Sequence, residues 1–566
     1  MEILKLITFV YIVILKKMNM RKCVVLLLLS VVIHNSILAQ NKQPKLLVGI
    51  VVDQMRPDYL NRFYNDFGNG GFKALMTNGY TMWNVHYNYI PTYTGPGHAS
   101  IYSGTTPRYH GIIGNDMFYR DTKKVEYCVK DTFSVIGNEK VSNAKGMSPR
   151  RLITTNICDE LKLSDNKQSK VISLSLKDRA AILSGGHLAD YALWFDQESG
   201  NFISSSFYLS QLPTWVSAFN ANHFAEQYIQ KDWTCLLAND KYTSCVVDTT
   251  ICAITRTGSK VLPVFPHVLH LKGNDKDAHY SLLYKSPMAN ALLTDLALET
   301  IKNTDLGKGP NSDFLAISFS STDAVGHLFG PLSKEVKDCY LRLDKDIERL
   351  LQTLDQKVGK DNYVVFLTAD HGVPEIPQFM MKEKLPAGYI YHQAFYKSAT
   401  DYLNSLLTPG KWIDTLINDQ FYLNRKLISQ KGLNLSTIQS QLADYLQQQK
   451  GVAFVYTATQ LNEEEFTTNI AMRIQNGFQP KNSGDVVLVL ESGFFEYEDG
   501  AVVEHGSGYS YDTNVPLIWY GQNIKKGESW QLHYITDLAP TLSMLLRIKY
   551  PSACIGNPII EIMGSK

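Results

Sequence analysis

Leu46-Leu47-Val48-Gly49-Ile50-Val51-Val52-Asp53 is a run without a charge that stops on a carboxylate. A short apolar run of this kind reads as a strand buried on both faces. The same pattern recurs along the chain: 171–176 (VISLSL) runs into Lys177-Asp178-Arg179, 314–319 (FLAISF) into Ser320-Ser321-Thr322-Asp323, and 363–368 (YVVFLT) leads to Asp370-His371. Helical patterns lie between them, as in 335–354, where Val336, Cys339, Leu343 and Ile347 recur on one face. Strands alternating with helices predict an α/β fold, a mostly parallel central sheet flanked by helices, whose ligands bind outside the carboxyl ends of the strands. The ionisable residues at those ends therefore stand where a site belongs. Segments near 200–285 and 375–480 lack this rhythm and predict insertions that form a cap or subdomain. The runs 486–490 (VVLVL) and 515–520 (VPLIWY) then resume the sheet pattern.

The chain has 566 residues, 45% hydrophobic and 19% charged, with Lys+Arg 55 against Asp+Glu 54. A formal charge of +1 supplies no global field for nucleic acid or an anionic membrane, so any preference for anions must be local. Met20-Arg21-Lys22, the apolar run 23–33 and Ile37-Leu38-Ala39-Gln40 read as an export signal cleaved after Ala39, with residues 1–17 an over-extended start. An uncleaved N-terminal anchor is the competing reading. Seven cysteines follow the signal, none with the paired C-x-x-C spacing of a structural zinc site. Cys235, Cys245 and Cys252 are close enough in sequence for a local disulfide.

Taken singly, each candidate functional residue has an ordinary reading. Asp53 and Asp323 suit helix N-caps or turns, Asp370-His371-Gly372 a turn, and His505 in Glu504-His505-Gly506-Ser507-Gly508 a solvated loop. Together they argue differently. Asp323 and His327 are four apart, on one face of a helical turn, and with Asp53, Asp370, His371 and His505 they make three Asp and three His from four separated segments. That donor set suits two zinc ions with open positions.

Thr94 in Pro91-Thr92-Tyr93-Thr94-Gly95-Pro96-Gly97-His98 precedes a Gly-Pro-Gly turn and then a helix. A hydroxyl there can meet a phosphate that also receives backbone N–H groups and the positive end of the helix dipole; a turn with an N-cap has the same composition. Lys177 and Arg179, two apart, point to the same side of an extended segment and suit a dianionic phosphoryl group. Asn115, after Gly114, is either a turn residue or an amide donor to the same oxygens.

In this order and spacing the residues resemble the alkaline phosphatase superfamily, most closely its bacterial PafA-type branch with a Thr nucleophile and a Lys/Arg pair. The resemblance runs from about residue 45 to residue 550. It implies an alkaline-phosphatase-like catalytic domain over 40–566 that hydrolyses small-molecule phosphate monoesters; the export signal predicts the periplasm or secretion, and the charge of +1 predicts no nucleic-acid partner. It implies that Asp53, Thr94, Asp370 and His371 hold one zinc, that Asp323, His327 and His505 hold the other, and that Asn115, Lys177 and Arg179 bind the transferred phosphoryl group. Thr94 is then the nucleophile, and a phosphothreonine is hydrolysed in a second step. The extra Glu and Thr of a third, magnesium site have no counterpart here, so two Zn2+ per chain and no Mg2+ are expected.

A phosphodiesterase of the nucleotide pyrophosphatase type shares the ligands and the Thr and is the alternative. Lys177 and Arg179 argue against it, because a diester carries one less negative charge. A sulfatase needs a Cys or Ser that is oxidised to an aldehyde, which Thr94 cannot supply. A binding protein on a decayed enzyme fold would have lost a ligand or the nucleophile, and none is missing.

Overall fold

The run that begins at Leu46 is a strand, Leu46–Val52, inside an 11-stranded sheet. The computed structural model describes residues 43–133, 135–137, 146–243, 245, 255–256, 259–260, 264–270, 279–497 and 501–563. The export-signal reading of residues 1–39 lies outside the described residues, as does Cys252. Five neighbouring strands are parallel, in the order Tyr363–Thr368, Leu46–Val52, Asp313–Phe319, Val171–Ser175, Tyr191–Asp196. All residues of the first four are buried, as a sheet covered on both faces requires. Val52 pairs with Phe319 and Val51 with Thr368, so the strands end nearly level and the residues that follow emerge together. Antiparallel strands extend the sheet on both sides, Asn514–Gly521 beside Tyr363–Thr368 and Asn201–Ser205 beside Tyr191–Asp196.

Close approach explains the glycine inside the first strand. A Cβ on Gly49 would lie 2.5 Å from Phe366 Cζ and 2.9 Å from the Tyr102 hydroxyl, so only glycine lets Tyr102 of the Thr94–Ser103 helix reach the sheet. The helix Lys334–Lys357 buries Val336, Cys339, Leu343 and Ile347, the face expected from the sequence.

One strand lies elsewhere than its sequence suggests. Val486–Leu490 does not resume the central sheet; it belongs to a four-stranded sheet with Ile413–Ile417, Gln420–Leu423 and Val452–Thr457. A fully apolar run reads alike in either sheet. What separates them is an apolar core of its own, built around Trp412, Phe421, Leu442 and Val486. The run after it does return to the central sheet, as the antiparallel strand Asn514–Gly521. Cys235 and Cys245 are both free thiols, so the pairing their spacing allows is not made. Among the described residues no helix is long and apolar enough to cross a membrane.

Candidate active site

Four adjacent strands deliver the site from their carboxyl ends. Asp53 follows Leu46–Val52 directly, and Asp370 and His371 follow Tyr363–Thr368. Asp323 and His327 lie on the helix Ser321–Phe329 after Asp313–Phe319, with His327 Nε2 3.0 Å from Asp323 Oδ1, as four-residue spacing on a helix dictates. Lys177 and Arg179 follow Val171–Ser175, but not in an extended segment. Lys177 is the N-cap of the helix Asp178–Gly185 and Arg179 sits in its first turn. The chain turns helical directly after the short strand, and the two cations converge by reach, not by strand alternation.

Thr94 differs from expectation in a similar way. The helix begins at Thr94 itself, and Gly95-Pro96-Gly97 form its first turn. Proline is tolerated there because first-turn N–H groups have no intrahelical partner. A Cβ on Gly97 would lie 2.5 Å from the Asp370 carbonyl oxygen, so glycine lets the helix start press against the Asp370 loop. Lys177 Nζ is 3.3 Å and Arg179 Nη2 3.4 Å from Thr94 Oγ1. Asn115 Oδ1 accepts the Gly95 N–H at 2.8 Å, which fixes that amide beside the hydroxyl.

Whether these residues fit divalent cations is tested by their unmet valences. Asp53 Oδ1, Asp370 Oδ2 and His371 Nε2 are buried without a hydrogen-bond partner, and Asp53, Asp370 and His371 bring ligand atoms within 4.8 Å of one another. Buried carboxylates without donors are costly unless a cation meets them. Lys177 Nζ meets part of the demand, 2.7 Å from Asp53 Oδ2 and 2.6 Å from Asp323 Oδ2. The three imidazoles are oriented from behind: Nδ1 of His371, His327 and His505 lies 2.9, 2.8 and 2.8 Å from the carbonyls of Gly372, Val503 and Thr92. That arrangement reserves each Nε2 for a metal. Two further clusters, Asp323 with His371 and His505, and His327 with Glu504 and His505, share members with each other or with the first. The donors fit bound metal cations.

The electrostatics agree. Burial and the Asp53 charge push Asp370 up to about 7. Burial disfavours the His371 imidazolium, yet Asp370 and Asp53 outweigh it and push His371 up to about 9. The three buried aspartates thus draw both protons and the Lys177 cation to this locus. Burial, helped by the Lys177 and Arg179 charges, lowers His98 to about 4, so it stays neutral while its Nδ1 lies 2.9 Å from the Thr94 carbonyl.

Thr94, Asn115, Arg179, Asp323, His327 and His505 line a cavity of about 550 Å³ that also reaches Leu416, Asp419 and Phe494. Two residues of the site carry no recognisable signal in the sequence. Glu504 Oε1 lies 3.2 Å from His327 Nδ1, and only its place before His505 hints at it. Tyr127, whose hydroxyl accepts from Arg179 Nη1 at 3.0 Å, is an aromatic at a strand end like many others.

The sequence profile of the type I phosphodiesterase / nucleotide pyrophosphatase family matches residues 47–508. Over 548 residues the chain is 39% identical to alkaline phosphatase PafA of Elizabethkingia meningoseptica, covering 95% of this chain and 98% of that protein. It is 40% identical over 529 residues to alkaline phosphatase PhoV of Synechococcus elongatus, covering 92% and 93% respectively. The fold matches the crystal structure of wild-type alkaline phosphatase PafA with a TM-score of 0.86 at 38% identity, over 92% of this chain and 99% of that one.

Proposed function

This chain belongs to the type I phosphodiesterase / nucleotide pyrophosphatase family of the alkaline phosphatase superfamily, and from that premise we propose that it hydrolyses phosphate monoesters through a phosphothreonine at Thr94. The observation that carries the reading is the approach of two cations, Lys177 Nζ at 3.3 Å and Arg179 Nη2 at 3.4 Å, to Thr94 Oγ1. A doubly charged phosphoryl group repays that concentration of donors; a diester offers one charge less and needs room for a second substituent. The diester reading keeps the support of the family profile's name and is the alternative tested below.

Asp53, Thr94, Asp370 and His371 would hold one zinc ion and Asp323, His327 and His505 a second, and the pair would supply the positive charge that lowers the Thr94 hydroxyl pKa and steadies the leaving oxygen. Thr94 attacks phosphorus from the first residue of its helix, where the positive end of the dipole favours negative charge. Arg179, Lys177 and the Asn115 amide hold the non-bridging oxygens in line for displacement. The alcohol leaves, water opens the phosphothreonine, and inorganic phosphate is released. The proposed setting is outside the cytoplasm, from the export-signal reading of residues 1–39, with residues 40–566 as the catalytic domain. The insertion near 375–480, which contributes Leu416 and Asp419 to the cavity, acts as a cap over the leaving group.

The test is hydrolysis of an aryl phosphate monoester and its methyl diester by the zinc-loaded chain beside Thr94→Ala. Monoester preference that disappears in the variant supports the proposal; diester preference moves the chain to the phosphodiesterase reading.

A further inference from the structure

Arg179 carries five donors on a long side chain, and its use beside Thr94 depends on what holds it still. The side chain is tied back to its own backbone through one phenol. Arg179 Nη1 donates to the Tyr127 hydroxyl at 3.0 Å, that hydroxyl donates to Asp178 Oδ1, and the same Oδ1 accepts the Arg179 backbone N–H at 2.6 Å. The guanidinium carbon also lies 5.9 Å from the Tyr127 ring centroid. The loop closes only if Tyr127 both accepts and donates, which phenylalanine cannot do. Burial pushes the Tyr127 hydroxyl well above its ordinary value, so it keeps its proton in alkaline solution.

Tyr127 is placed by the same hairpin that carries Asn115. The strands Asp116–Tyr119 and Lys124–Tyr127 pair with Asp116 opposite Tyr127, and Cys128 N–H donates to the Asn115 carbonyl at 2.8 Å. One rigid piece therefore sets both the Asn115 amide and the support of Arg179.

We infer that Tyr127 is a positioning residue for Arg179, locking the guanidinium beside Thr94 and thereby setting the preference for dianionic monoesters over diesters. The inference rests on the proposed role of Arg179 in binding the phosphoryl group. Its reach is specific: Lys177 has no contact with Tyr127 in this network, so a loosened Arg179 leaves the remaining machinery standing.

The experiment is a double-mutant cycle on the zinc-loaded full chain with Tyr127→Phe, Arg179→Ala and the double variant, measuring kcat/KM for an aryl phosphate monoester and its methyl diester. Inhibition by inorganic phosphate serves as a binding readout. Tyr127→Phe is expected to lower monoester kcat/KM by about tenfold to a hundredfold, the scale on which misplacement costs activity. It should weaken phosphate inhibition, spare the diester, and add little once Arg179 is alanine. Asp178→Asn, which weakens the other end of the loop, should move the same readouts in the same direction and guards against a folding defect in Tyr127→Phe. Unchanged monoester activity, equal loss on both substrates, or a loss that persists undiminished in the Arg179→Ala background overturns the inference alone. Arg179→Ala that fails to favour the diester overturns the reading of Arg179 beneath it.

Discussion

The imidazoles of His371 and His505 stack face to face, with ring centroids 3.5 Å apart and planes 15° from parallel. The rings come from loops 134 residues apart in sequence, and each is aimed by a backbone carbonyl at its Nδ1. Ligands proposed for two different ions thus share one wall, and His371 clusters both with Asp53 and Asp370 and with Asp323 and His505. Removing either ring should disturb both positions. We expect His371→Ala and His505→Ala each to lower bound zinc from about two equivalents to below about one, given the sensitivity of metal sites to ligand support. Elemental analysis after gel filtration measures this, and a chelator should abolish turnover in the parent chain; loss of a single equivalent from each variant would make the two positions independent.

Gly97 brings the nucleophile's helix against the Asp370 loop, where a Cβ would lie 2.5 Å from the Asp370 carbonyl oxygen and 3.1 Å from its carbon. Backbone cannot swing aside as a side chain does. Gly97→Ala is expected to cost about 1–3 kcal/mol of stability, as overpacking does, and to lower kcat/KM by at least about tenfold through displacement of Thr94. Thermal unfolding and steady-state kinetics read the two effects, and retained kinetics with lowered stability would detach the contact from catalysis.

Asp485 is a buried hub of the four-stranded sheet. It accepts the Leu423 N–H at 2.8 Å, Arg425 Nε at 2.8 Å and Gln439 Nε2 at 3.3 Å, and pairs with Arg120 Nη2 at 2.9 Å. Arg120 belongs to the hairpin turn between Asn115 and Tyr127, so Asp485 joins that hairpin to the sheet behind it. Asp485→Ala strands the Arg120 charge and should cost about 3 kcal/mol, the scale for breaking a buried pair. Urea denaturation measures it, and a change below about 0.5 kcal/mol would reduce the hub to an ordinary surface contact.

His392, in the lining of the same cavity, lies between Asp419 Oδ1 at 3.2 Å and Glu496 Oε1 at 2.5 Å. Burial disfavours its imidazolium, but the two carboxylates outweigh burial and push it up to about 9. Its folded value is raised above an unfolded value of about 6.5. Its stabilisation is therefore complete below about pH 6.5 and is lost as pH rises through about 9. Glu496 is 41% exposed, so screening reduces the gain to about 1–2 kcal/mol. Between pH 6.5 and 9.5 the parent chain should lose that much more stability than His392→Gln, as read from urea midpoints at the two values; parallel curves would contradict it.

How much of this was legible depends on which physical pattern each residue belongs to. A strand buried on both faces must be a continuous apolar run, so its end is visible, and Asp53, Asp323 and Asp370 are marked by position alone. Asp323 and His327 are marked again by helical spacing. Lys177 and Arg179 were recognisable as a pair, but their geometry was not: the sequence cannot show that the strand stops at Ser175 and a helix starts at Asp178. Val486–Leu490 shows the converse, because an apolar run does not say which sheet it joins. Tyr127 meets Arg179 across 52 residues and Glu504 meets His327 across 177, separations that leave no periodic trace in one chain.

The proposed reaction requires that Thr94 become covalently phosphorylated during turnover. Its most direct measurement is acid quenching of the zinc-loaded chain during hydrolysis of an aryl phosphate monoester, followed by peptide mass spectrometry. A phosphoryl group is expected on the peptide containing Thr94, on that residue, and none in Thr94→Ala. Full turnover with phosphate found on no residue, or on a residue other than Thr94, would contradict it.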